Sequence, residues 1–130
     1  MKKIGLIFLV VLILAFSIAY AKDFKVEKKA GEYSVKIEID KNPPTVGKNN
    51  MKIEVKDSTG KHVTDAAVKV NYSMPAMPGM PPMSYKTDAQ ISGNEYKAVM
   101  NLSMSGPWNI EIKINRGGKT TTVKFNIDVR

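Results

Sequence analysis

The sequence predicts an all-β chain folded as an antiparallel β-sandwich of about seven strands. Three observations carry this. Apolar and polar residues alternate with a period of two through most of residues 33–129. Turn-forming clusters rich in Gly, Asn, Asp and Ser separate the alternating runs. No stretch beyond residue 21 keeps a helical period.

The first 21 residues stand apart as an export signal. Lys2 and Lys3 give a positive start, and Ile4 to Phe16 form an apolar run of 13 residues. Ala19-Tyr20-Ala21 then places small residues where a signal peptidase cuts. The apolar stretch from Ile4 to Ala21 is 18 residues long, which also suffices for a retained membrane anchor. Either way the domain is residues 22–130, and it lies in a periplasmic or extracytoplasmic space.

Phe24-Lys25-Val26 reads as a short edge strand. Tyr33 to Ile39, Met51 to Val55 and Val68 to Tyr72 alternate cleanly. Tyr85 to Ile91 and Tyr96 to Leu102 follow, and Trp108 to Ile114 and Val123 to Val129 complete the set. Asp57-Ser58-Thr59-Gly60 and Ser92-Gly93-Asn94 have hairpin composition, and Gly117-Gly118 is a two-residue hairpin signal. With one apolar face on each strand, the chain needs two sheets packed face to face.

Composition removes several chemistries. The chain has 130 residues, a net charge of +8, no Cys, one His and eight Met. This length suits one domain. The absence of Cys excludes disulfides, thiolate metal sites and Cys nucleophiles, and a single His excludes a His-rich zinc or iron site. Without residues 1–21, 18 basic and 12 acidic side chains leave +6. Lys52, Lys56, Lys69, Lys97 and Lys113 alternate with apolar residues, as on solvated sheet faces. No basic stripe with aromatic interleaving points to nucleic acid; a weak attraction to an anionic membrane surface is compatible with the charge.

The segment Met74-Pro-Ala-Met77-Pro-Gly-Met80-Pro-Pro-Met83 is the most informative in the chain. Its prolines forbid a helix or a central strand and favour polyproline II. That conformation has three residues per turn, so the four thioethers are expected along one edge. Thioether sulfur is a soft, neutral donor suited to Cu(I), and it survives in oxidising compartments. Two other readings remain open for the same residues: a hydrophobic plug over the end of the sandwich, and an adaptable partner interface.

If consecutive strands run up and down from Met51, then Met51, the Met74–Met83 loop, Met104 and Trp108 meet at one end. His62 falls at the other, about 20–25 Å away, as a solvated turn residue. Met51, Met74, Met100, Met104 and Trp108 share the inward phase of their strands and suit the core. Met77, Met80 and Met83 are freer of the ladder and are the stronger metal ligands. Trp108 is expected behind them, its ring face near a soft cation.

An alternating strand followed by Asn42-Pro43-Pro44, Val46-Gly47 and Asn50 opens a longer pattern. Val55-Lys56-Asp57, Gly60, Asp65-Ala66-Ala67-Val68-Lys69-Val70 and the Met74–Met83 segment come next. Gly93-Asn94-Glu95-Tyr96-Lys97-Ala98 and Leu102-Ser103-Met104-Ser105-Gly106-Pro107-Trp108 close it. This ordered combination, across most of residues 33–115, resembles the YtkA-like domain, a relative of the FixH family. The resemblance implies an immunoglobulin-like β-sandwich, exported or membrane-tethered. It also implies a link to copper delivery or efflux, with copper-handling or envelope membrane proteins as partners. Met74, Met77, Met80, Met83, Met104 and Trp108 match the relevant motif.

Three function classes therefore stand side by side. One is an exported, non-catalytic Cu(I)-binding module with ligands among Met74, Met77, Met80 and Met83, closed by Met104 or Met51. Another is a metal-free interaction module of an envelope complex. The third is an enzyme; carboxylates such as Asp57, Asp65 and Asp88 could pair by accident of fold, and none sits in a catalytic motif.

Overall fold

The computed structural model describes residues 23–130; the expected signal segment, residues 1–21, lies outside the described residues. Eight strands follow one another among the described residues: β1 (Phe24–Ala30), β2 (Tyr33–Ile39), β3 (Gly47–Lys56), β4 (Ala67–Met74), β5 (Met83–Ser92), β6 (Glu95–Leu102), β7 (Gly106–Arg116) and β8 (Lys119–Val129). Every pairing is antiparallel, in the order β1-β2-β3-β6-β5-β4-β7-β8.

Strand β5 turns this order into two layers. Its first part pairs with β4 from Met83 to Ala89, and its last three residues pair with β6. One layer is thus β1-β2-β3-β6 and the other β4-β7-β8 with most of β5. The two free edges, β1 and β8, approach each other, and the rings of Phe24 and Phe125 stack at 6.3 Å between centroids. This all-β sandwich, nearly closed on itself, is the predicted fold.

The period-two pattern places the core. Val35, Ile37, Ile39, Met51, Ile53 and Val55 face Ile110, Ile112, Ile114, Val123, Phe125 and Ile127 in one apolar cluster. The far end is tied by Tyr96, whose hydroxyl donates to Val63 O (2.9 Å) and accepts from Ala66 N (3.1 Å).

Strand β3 begins earlier than the hydrophobic pattern suggests. Asn49 occupies the inward phase ahead of Met51 and is fully buried. Its side chain is satisfied by Thr45 N and O and by Gly47 O, so a polar residue sits inside without an unpaired group. The C-terminus is bound to the same end by Val46 N to Arg130 O (3.1 Å) and Arg130 N to Pro44 O (2.9 Å). Asp40 accepts from both the side chain and backbone of Asn50 (2.8 and 3.0 Å).

Candidate functional site

The methionine segment joins β4 to β5 as a tight hairpin. Met74 stands opposite Met83 in the ladder. Beyond them Met80 N donates to Met77 O (2.8 Å) and Met77 N to Met80 O (3.2 Å). Pro78 and Gly79 form the two-residue tip, with Gly79 at φ +81°. Proline at the first central position and a left-handed glycine at the second are what a type II turn requires.

This differs from the single polyproline edge expected above. Gly79 supplies a backbone conformation that lets the chain reverse between Met77 and Met80. The four methionines therefore form two facing pairs instead of one row.

A second segment, residues 103–108, packs against the hairpin. A β-carbon placed on Gly106 would stand 3.1 Å from Met74 Cε and 3.9 Å from Met77 Cε, so both thioether ends lie over this glycine. Met83 Sδ accepts from Ser103 Oγ (3.7 Å) and from Tyr85 Oη (3.8 Å). Met104 packs on the core, and its carbonyl accepts from Trp108 Nε1 (3.0 Å). Met74 is buried, whereas Met77, Met80, Met83 and Met104 are partly exposed.

Beside these residues lies an aromatic trio, with Trp108 and Tyr72 buried and Tyr85 exposed. Tyr72 and Tyr85 stack at 5.4 Å, and Trp108 lies 6.0 Å from the first and 6.2 Å from the second. Trp108 is completely buried, and Tyr72 Oη accepts from Asn101 N (3.3 Å). Sequence reasoning passed over Tyr72, Tyr85 and Ser103 as contributors to this end. Both tyrosines sit in the inward phase of their strands, which was the available signal; nothing local marks Ser103.

Met51 is not part of this group. It is fully buried in mid-β3, opposite Ile39 and Ala98. It lies four residues inside the Gly47–Leu102 end of the ladder, about 13 Å along the strand. Its expected place at the end assumed that β3 starts there, and Asn49 hid the true start. Met100 is likewise in the core.

His62 lies at the opposite end, in an isolated bridge to Lys56. It is less solvated than expected: Nδ1 is buried without a hydrogen-bond partner, 3.8 Å from Glu54 Oε1.

The carboxylates do not converge. Asp57 caps its own turn, and the Thr59 hydroxyl with the Lys61 amide holds its carboxyl below the ordinary range. Asp65 pairs with Arg116 at 2.9 Å, and Asp88 is exposed on β5 opposite Lys69. Among the described residues no three His, Cys, Asp or Glu side chains are placed to hold a metal ion. No charged residue occurs from Met74 to Tyr85, so the hairpin itself offers only neutral side chains.

The fold and this end together define an antiparallel β-sandwich that presents a methionine hairpin beside a Met-x-Gly-x-Trp turn. The YtkA-like family model matches residues 27–113, and the chain belongs to that family. No curated protein matches the chain. Among solved structures it is similar to the PmoD soluble domain from Methylocystis sp., with a TM-score of 0.53 and 12% identity over 80% of this chain and 96% of that one. It is also similar to FetP from uropathogenic E. coli, with a TM-score of 0.53 and 7% identity over 84% of this chain and 97% of that one. At such identities the likeness is one of fold.

Proposed function

We propose that this protein is an exported, non-catalytic Cu(I)-handling module that takes the ion as cargo at the methionine hairpin. The observation that carries this reading is the meeting of Met74 and Met77 over Gly106, with Met83 in the same hairpin bonded to Ser103, and Met104 on the adjoining segment. Neutral thioethers suit a soft monovalent cation, and they require no proton release on binding. Met80 at the partly exposed tip is placed to pass the ion to an incoming ligand of an envelope partner. Met51 is assigned to the core. Trp108 acts indirectly here, holding the Met104 backbone through its indole N–H. The family resemblance to copper-delivery and efflux proteins supports the same reading, as does the expected export signal.

The direct test is a competition titration with a Cu(I) chelator on the wild type and on Met77→Leu/Met80→Leu/Met83→Leu. Submicromolar binding that falls at least tenfold in the triple variant supports the reading. Binding weaker than micromolar, or equal in both, sinks it.

A metal-free interaction module is the second reading. It is favoured by the burial of Met74 and by the packing of Met77, Met83 and Met104 against the apolar core. Leucine preserves apolar contact and removes only the soft donor. Full biological function in the triple variant would therefore select this second reading.

A further inference from the structure

We propose that Tyr85 and Ser103 are hydrogen-bonding caps on the Met83 sulfur, and that this sulfur must shed them before it can take an electrophile. The consequence for a soft cation rests on the copper reading above; the capping itself does not.

A thioether sulfur has two lone pairs. At Met83 two hydroxyls address them, Ser103 Oγ at 3.7 Å and Tyr85 Oη at 3.8 Å. Among the described residues no other methionine sulfur accepts a hydrogen bond. Met77, Met80 and Met104 are partly exposed as Met83 is, yet their sulfurs carry no such donors. The four outer methionines are therefore chemically unequal, although their spacing makes them look alike.

Both donors are on exposed residues, and they differ in what steadies them. The Tyr85 ring stacks on Tyr72 at 5.4 Å and lies 6.2 Å from Trp108, which favours one direction for its phenol. Ser103 precedes Met104, whose carbonyl is bound by Trp108 Nε1. One indole thus steadies the segment that carries one cap and touches the ring that carries the other. The bonds are weak, because sulfur is a weak acceptor. That weakness suits a cap that yields to a better electrophile and returns when it leaves. Met83 is then the last thioether to engage an ion and the first to release it.

Two readouts test this on the protein in residues 22–130. The first uses hydrogen peroxide and peptide mass spectrometry, without metal. Each oxidation moves one oxygen atom from peroxide to sulfur: the sulfur lone pair attacks, the O–O bond breaks, and water leaves. Met83 is expected to form sulfoxide more slowly than Met77 and Met80. In Tyr85→Phe/Ser103→Ala its rate should rise several-fold while the rate at Met77 stays put. Ser103→Thr, which keeps a hydroxyl, should retain protection. An unchanged Met83 rate in the double variant overturns the proposal.

The second readout is Cu(I) competition on the same variants. Release of two weak bonds should tighten binding roughly 3- to 10-fold in Kd. Equal or weaker binding in the double variant, with a wild type that does bind, also overturns it. If no variant binds Cu(I) but Met83 oxidation accelerates as expected, the caps stand and the copper reading falls.

Discussion

The ε-methyl of Met74 rests 3.1 Å from the point where a β-carbon on Gly106 would stand. Gly106 is at φ +124°, a conformation that L side chains rarely adopt. Its lack of a side chain does two things at once. It permits the backbone to enter β7, and it leaves the space that Met74 and Met77 fill. Gly106→Ala should cost about 1–3 kcal/mol, mostly as backbone strain, since the Met74 methyl can yield a little. Thermal unfolding should show a drop of at least several degrees, at roughly 4–8 °C per kcal/mol for a domain of this size. An unaltered melting temperature would count against this account of the turn.

Gly79→Ala should behave differently. No atom lies within 4 Å of its missing β-carbon, so only the left-handed φ of +81° opposes the change. The cost, about 1 kcal/mol, falls on the hairpin tip and not on the core. Amide hydrogen exchange is the suitable probe. Exchange at Met77 and Met80 should quicken, while the β7–β8 ladder keeps its protection.

Trp108→Phe removes the donor to Met104 O and leaves space in a fully buried position. Loss of the hydrogen bond and the cavity together should cost about 2–4 kcal/mol. Urea unfolding followed by far-UV circular dichroism measures it, since the variant loses the only tryptophan. The smaller phenyl ring would still offer a face to Tyr72 and Tyr85, so the specific signature is freer exchange in residues 103–106.

Acid should loosen the loops at both ends. Burial raises the Asp40 carboxyl, but the bonds from Asn50 and the charge of Lys41 outweigh it and hold the group below its ordinary 3.8. Asp57 is lowered too, first by the Thr59 hydroxyl and then by the Lys61 amide. A carboxyl depressed in the folded state stabilises fully above the unfolded value and loses that contribution as pH falls through its folded value. The melting temperature should therefore hold down to about pH 4 and decline below it. Asp40→Asn and Asp57→Asn should each make that decline shallower; identical acid profiles would show that these carboxyls do not contribute.

Much of the fold was legible because alternation is a local signal. Tyr33 to Ile39 and Trp108 to Ile114 declare their inward faces residue by residue, and the Gly117-Gly118 hairpin is written in two letters. The start of β3 was not legible. Asn49 is buried by virtue of partners at Thr45 and Gly47 that only the folded loop supplies. At the candidate site, residue types could be read but their pairing could not. A spacing of three is compatible with a straight edge and with a fold-back. The choice fell to Gly79, whose positive φ reverses the chain. Ser103 was invisible because a hydroxyl becomes meaningful only when a sulfur from another strand arrives beside it.

The two methionine pairs are mirror images about the bond between Pro78 and Gly79, and this places a rule on how the segment can vary. Adding one residue between the methionines of a single arm would move Met74 or Met83 out of opposition to its mate and flip its side chain to the other face. Matched insertions in both arms would instead lengthen the hairpin and preserve the facing pairs. Chain length in this loop should therefore change in symmetric steps, with Pro-Gly kept at the centre as the fixed point of the reflection.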